Sequence, residues 1–270
     1  MEEETKSLYM DGYLRTLLNN FKEAIEHKNT SAVFIIDGRS GMGKSTLAFQ
    51  IARYLDKSFS IDNVYFAPQK FLDGLSMAKP HTVHIFDEAM LLSSRSTMSA
   101  INKMIVQAMS MIRSKNIIII FNINSIFDLD KNLALSRADL LLHVYGDNLI
   151  DRGNFASFFK AKGQEDRVKQ LYLLGKKYYS YSKPKANFYG RFVNNFILDE
   201  VEYEKRKQEG VNAFLRGESK GLNKKDKAEA KLMKYLNEVV GLTQLEIADI
   251  AGISEKTVNV QINLLKQLEK

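Results

Sequence analysis

The sequence predicts an α/β protein, a parallel sheet flanked by helices, with a small all-α domain at its C-terminal end. Three observations predict it. Short apolar runs rich in β-branched residues alternate with stretches of helical apolar spacing, the pattern of parallel strands joined by right-handed crossovers. One run, Ala32-Val33-Phe34-Ile35-Ile36, breaks into the glycine-rich Gly38-Arg39-Ser40-Gly41-Met42-Gly43-Lys44-Ser45 and then into helical spacing from Thr46 to Leu55. From Leu232 onward the strand pattern is gone, and Thr243-Gln244-Leu245-Glu246 and Gly252-Ile253-Ser254 punctuate three helical stretches.

Composition sets the bounds. The 270 residues suit one full domain plus a smaller one, and 45% hydrophobic with 26% charged is ordinary for a globular chain. The formal net charge of +7 points toward a polyanionic partner. With no cysteine there are no disulfides, thiolate metal sites or cysteine nucleophile. His27, His81, His84 and His143 form no spaced ligand pair, so no zinc is expected. No apolar stretch has the length of a membrane span and no leader precedes the first helix, so the expectation is a soluble, cytoplasmic protein without a membrane partner.

Taken in order, residues 1–30 read as a packing helix with Leu8, Tyr13, Leu14, Leu17, Leu18, Phe21 and Ala24 on one face. The core, 31–145, starts with the strand from Ala32. Gly38 to Ser45 is a complete G-x-x-x-x-G-K-[ST], with the strand before it and the helix after it that a P-loop needs. Glycines let backbone N–H groups turn inward around a phosphate that sits at a helix N-terminus. Lys44 is expected to reach the β- and γ-phosphates and Ser45 to take one Mg²⁺ position, with Gly38 through Thr46 forming the ATP cradle.

A second strand is expected over 63–67, then a short helix from Gln69 to Met77. Thr82-Val83-His84-Ile85-Phe86 follows and runs into Asp87-Glu88, a Walker B pattern. Asp87 is placed to hold Mg²⁺ and Glu88 to activate the attacking water. A long helix is expected over 89–114, carrying Met98, Ile101, Ile105, Met109 and Ile112, with Arg113 at its end. Ile117 to Phe121 makes the most buried strand, ending at Asn122 and Asn124, where one amide is the candidate sensor of the γ-phosphate. Ala138 to Tyr145 is the fifth strand.

Residues 146–204 read as a basic, aromatic-rich extension. Alternating Tyr and Phe suit short strands, while neighbouring lysines leave open a nucleic-acid surface built on phosphate contact and base stacking. Residues 205–229 read as the end of a helix and a charged linker with Gly210, Gly217 and Gly221. Residues 230–270 read as a helix-turn-helix domain. Val258, Ile262 and Leu265 are expected to face inward, and Lys256, Thr257 and Asn259 to meet DNA in a major groove.

With these motifs in place, the first 145 residues resemble the additional-strand (ASCE) P-loop ATPases. Within that division Leu91 to Asp139 resembles the FtsK/HerA-like and zonula-occludens-toxin-like DNA-pumping ATPases of mobile elements. That resemblance implies a ring or filament in which Arg113 reaches the neighbouring subunit's site. Leu129-Asp130 through Leu135-Ser136-Arg137 resembles instead the arginine-bearing box of AAA+ proteins, which implies Arg137; Arg95 is a third candidate for that role. The segment 252–259 resembles the recognition segment of bacterial response regulators and sigma factors, although Gln261 stands where many of them carry an apolar residue. The function expected is an ATP-hydrolysing, DNA-associated motor or remodelling ATPase of a virus or mobile element, homo-oligomeric, with a further protein of that element as a candidate partner. An AAA+-like initiator or loader and an ATP-gated DNA-binding regulator are the alternatives, and a small-molecule kinase fits least.

Overall fold

The computed structural model describes residues 9–87, 106–112, 115–129, 131–146, 153–215 and 224–268. The chain divides into two compact units, Met1–Asn212 and Ala213–Lys270.

Seven strands organise the larger unit: β1 Ala32–Gly38, β2 Val64–Tyr65, β3 Val83–Asp87, β4 Ile118–Asn122, β5 Leu140–Tyr145, β6 Asn154–Phe159 and β7 Phe188–Arg191. They form one sheet in the order β2-β3-β4-β1-β5-β6-β7. The first five run parallel, as expected, and β6 and β7 add an antiparallel pair beyond β5. Every residue of β1, β3 and β4 is buried, which is why these strands read as continuous apolar runs rather than alternating ones. The strand expected over 63–67 is only two residues long, because a 3-10 turn occupies Ile61–Asn63 and α3 begins at Pro68.

The helices of this unit are α1 Gly12–His27, α2 Lys44–Leu55, α3 Pro68–Ser76, α4 (106–111), α5 Lys131–Ser136, α6 Arg167–Gly175 and α7 Glu200–Leu215. Asp11 caps α1 by accepting from the backbone N–H groups of Tyr13 and Leu14. Leu14, Leu18, Phe49, Phe34, Ile36, Ile120 and Leu142 share one core, so α1 and α2 cover one face of the sheet. Phe71 of α3 packs on the opposite face, 5.3 Å from the ring of Phe86 and 5.7 Å from that of Phe121. Tyr13 departs from expectation: it is 73% exposed, since the buried stripe of α1 runs through Leu14, Leu18 and Ile25. Of the long helix expected over 89–114, only Met109 and Ile112 among the named apolar residues lie within the described residues, and both are buried.

Two corrections concern the C-terminal half. The 146–204 extension contains a helix, α6, capped by Asp166, as well as short strands. The helix end expected at the start of 205–229 is that of α7, which runs to Leu215, while residues 224–229 are helical rather than linker, since the next helix starts at Lys224. Part of this segment's charge is paired: Arg206 meets Asp62 at 2.8 Å and Glu202 at 2.7 Å.

The smaller unit holds α8 Lys224–Glu238, α9 Gln244–Ala251 and α10 Glu255–Leu268. Met233, Ile247, Ala248, Val258 and Ile262 form its core. The Thr243–Glu246 capping box is complete at the start of α9. Gly252 ends that helix at φ 64°, and Ile253 N–H donates back to Ala248 O at 3.0 Å, the left-handed stop that glycine makes inexpensive.

Candidate functional site

The site forms at the carboxyl edge of the parallel strands, and the register brings its parts together. Asn122 of β4 stands beside Ile36 of β1 on one side and Asp87 of β3 on the other. The chain leaves β1 through Gly38 at φ +139°, where an added Cβ would meet Val144 O at 2.1 Å, so only glycine lets the loop start this close to β5. Gly43, at φ +94°, opens α2, whose first-turn N–H groups and dipole favour an anion.

Two polar clusters hold this edge. In the first, Ser45 Oγ donates to Asp87 Oδ2 at 2.7 Å, so the two residues assigned to Mg²⁺ from sequence are in direct contact. Asp87 is buried, and among the described residues its Oδ1 and both amide atoms of the fully buried Asn122 have no hydrogen-bond partner. Buried polar atoms without partners are uncommon and costly. A hydroxyl and a carboxylate oxygen beside spare acceptor capacity are the donor set of a hard divalent cation, and the site fits Mg²⁺.

In the second cluster Asp37, fully buried at the end of β1, accepts from Ile126 N–H at 2.7 Å, from His143 Nδ1 at 2.8 Å and from the Tyr181 hydroxyl. Tyr181 also stacks on His143 with ring centroids 3.5 Å apart. Burial and the Asp37 charge push the Tyr181 phenol far up, so it stays a neutral donor. Lys44 is buried against the loop it belongs to: its Nζ donates to Gly38 O at 2.7 Å and Arg39 O at 3.2 Å, with Asn124 Oδ1 at 3.4 Å.

A strap from the C-terminal part of the unit roofs the loop. The ring of Phe192 lies against Gly43. Gln50 of α2 donates to Val193 O at 2.8 Å and Asn195 O at 2.9 Å, which fixes the strap to the helix behind the loop. Phe196 and Tyr203 then pack edge-on against Phe49. Ser40 through Thr46, less Met42, form with Asn194, Phe196 and one face of α7 a cavity of about 480 Å³. That face carries Glu200, Tyr203, Glu204 and Lys207, at the i, i+3, i+4, i+7 spacing of a single helix side. Tyr203 is buried, and its hydroxyl lies 2.9 Å from Asp87 Oδ2 and 3.3 Å from Ser45 Oγ. Burial first, then the Asp87 charge, raises its pKa far above an ordinary phenol's.

Of the residues named from sequence, Gly38 to Thr46, Asp87 and Asn122 share this edge. Glu88, Arg95 and Arg113 lie outside the described residues. Arg137 lines a depression with Ser31 and Val33 at the opposite, amino end of β1. Lys256, Thr257 and Asn259 are exposed on α10 in the smaller unit. Sequence reasoning missed Asp37, Gln50 and the whole strap. The spacing of Glu200, Tyr203, Glu204 and Lys207 was the available signal, hidden inside what read as a charged helix.

Residues 34–124, from within β1 to just past β4, match the RNA helicase family model. The larger unit's mostly parallel seven-stranded sheet, flanked by helices, is like that of P-loop NTPases. A point variant of Thermotoga maritima RuvB resembles the chain at 14% identity and TM-score 0.35, covering 95% of this chain and 87% of its own. The Thermotoga maritima RuvB Holliday junction branch migration motor does so at 14% identity and TM-score 0.34, over 94% and 86%. The N-terminal domain of zonular occludens toxin from Neisseria meningitidis matches at 15% identity and TM-score 0.34, over 65% of this chain and 98% of its own. No curated protein matches.

Proposed function

We propose that this protein is an ATP-hydrolysing, nucleic-acid-associated motor or remodelling ATPase of a virus or mobile element, acting in genome packaging, transfer or replication. One observation carries the reading: the Ser45–Asp87 pair at the foot of a complete P-loop, beside an unpartnered Asn122 amide. Lys44 leaves its backbone carbonyl partners for the β- and γ-phosphates, and Asn122 or Asn124 senses the γ-phosphate. Ser45 and Asp87 hold Mg²⁺, which neutralises charge on the phosphate oxygens when bound. Glu88, next along the chain from Asp87, orients or deprotonates the attacking water.

The nucleic-acid part of the reading draws support from the RNA helicase match, the net charge of +7 and the three-helix unit. In that unit the tight turn at Gly252 presents Lys256, Thr257 and Asn259 on an exposed helix start, the arrangement of a helix-turn-helix meeting a DNA groove. An arginine supplied by a neighbouring subunit, Arg113 or Arg137, stabilises the transferring phosphoryl group and makes the active form an oligomer. The separateness of the three-helix unit also favours a second reading, an ATP-gated DNA-binding regulator. Slow turnover combined with a sequence-specific footprint would select it.

Two variants test the chemistry. Lys44→Ala should abolish nucleotide binding, and Glu88→Gln should bind ATP yet hydrolyse it at least a hundredfold more slowly, the scale of losing a general base. Normal turnover by Glu88→Gln would remove that residue from the mechanism.

A further inference from the structure

Tyr203 stands where a P-loop site needs its hydroxyl least. Its oxygen is within 2.9 Å of the Asp87 oxygen that also accepts from Ser45, and 3.3 Å from Ser45 Oγ itself. The three oxygens form a closed, partly buried triangle on the two side chains that fit Mg²⁺. In this state Asp87 Oδ2 is satisfied by two hydroxyl donors and Ser45 Oγ is turned toward a carboxylate. Ser45 can keep its proton on Asp87 and still offer a lone pair to a cation, but the Tyr203 hydroxyl, donating toward Ser45 Oγ and Asp87 Oδ2, stands over that lone pair. The phenol and a cation therefore compete for the Ser45 lone pair and for the space beside Asp87 Oδ2.

We propose that the Tyr203 hydroxyl is a positioning group that competes with the divalent cation for Ser45 and Asp87. Binding of the cation–nucleotide complex then releases the first turn of α7. The inference rests on the P-loop reading of the site and adds its regulation. Other groups on the same helix face make the release legible along the chain. Glu200, Glu204 and Lys207 line the nucleotide cavity with Tyr203, so the helix start feels the occupant directly. The same helix runs without a break to Leu215, past the boundary at which the smaller unit begins.

Tyr203→Phe isolates the hydroxyl, because the ring contacts to Phe49, Phe66 and Phe196 are kept. In the full chain, binding of a fluorescent ADP analogue is titrated with Mg²⁺ for wild type and variant. The variant should reach half-saturation at about tenfold lower Mg²⁺, the scale of one lost hydrogen bond to a charged acceptor. An equal or higher Mg²⁺ requirement, with nucleotide binding intact, overturns this inference alone. Failure of wild type to bind the analogue at any Mg²⁺ concentration overturns it together with the proposed function. Because the sequence has no cysteine, Gln208→Cys gives a unique label position on the exposed side of α7. An environment-sensitive dye there should respond to nucleotide with Mg²⁺ but not to nucleotide in chelator; a signal indifferent to Mg²⁺ overturns the release of the helix.

Discussion

At the scale of single residues, the carboxyl edge of the sheet is built on positions that tolerate nothing else. Gly38 combines φ +139° with a backbone oxygen 2.1 Å from where a Cβ would stand. Gly38→Ala should therefore destabilise the larger unit by about 3 kcal/mol, from overpacking and a disfavoured dihedral together, read as a lowered urea midpoint. His84 is one described residue that makes stability depend on pH. Buried in β3, it meets the Tyr65 hydroxyl at Nδ1 and the Thr82 hydroxyl at Nε2, and burial pushes its pKa down to about 4. The unfolded chain takes up this proton near pH 6.5 and the folded chain only near 4, so unfolding gains a proton between those values. The stabilisation is complete above pH 6.5 and drains away as pH falls toward 4, by on the order of 3 kcal/mol. His84→Gln should flatten the melting temperature over that window; an unaltered pH profile would show that His84 is not the titrating group.

At the scale of elements, the strap and the helix behind the P-loop act as one piece. Gln50 is nearly fully buried and spends both amide protons on the carbonyls of Val193 and Asn195. Gln50→Ala should cost about 2 kcal/mol, one increment for each bond lost, and should also weaken nucleotide binding because Asn194 and Phe196 line the cavity. Paired melting and nucleotide-titration measurements check this; a stability loss without any affinity loss would separate the strap from the site. The same elements show what could be read from sequence. Strands β1, β3 and β4, the P-loop motif and its place at one sheet edge with Asp87 and Asn122 were legible, because buried parallel strands are written as apolar runs and their ends as Gly, Asp and Asn. The α9 cap and the Gly252 stop were legible for a similar reason, since both are local. The strap was not, because its contacts (Phe196 and Tyr203 against Phe49, Gln50 against two backbone carbonyls) join residues about 150 positions apart in the chain. Asp37 was equally opaque: a carboxylate at a strand end looks solvated until Ile126, His143 and Tyr181 are seen to surround it.

At the scale of the whole molecule, a unit that carries a P-loop motif and a three-helix unit lie on one chain of net charge +7. Among the described residues no helix is long and apolar enough to cross a membrane. If the exposed start of α10 meets DNA phosphates, Lys256→Ala should lower affinity for duplex DNA and reduce the slope of log K against log salt by about 1. An unchanged slope would place the DNA contact elsewhere. The proposed division of labour, nucleotide chemistry at the P-loop and nucleic acid as the object of the work, is tested most directly by steady-state ATP hydrolysis. Wild type is compared with Lys44→Ala, each alone and with duplex or single-stranded nucleic acid, over a range of protein concentrations. We expect Lys44-dependent hydrolysis that nucleic acid stimulates and that rises more steeply than linearly with protein concentration. Hydrolysis equal in wild type and Lys44→Ala, or indifferent to nucleic acid at every concentration, would contradict the assignment as a nucleic-acid-driven ATPase.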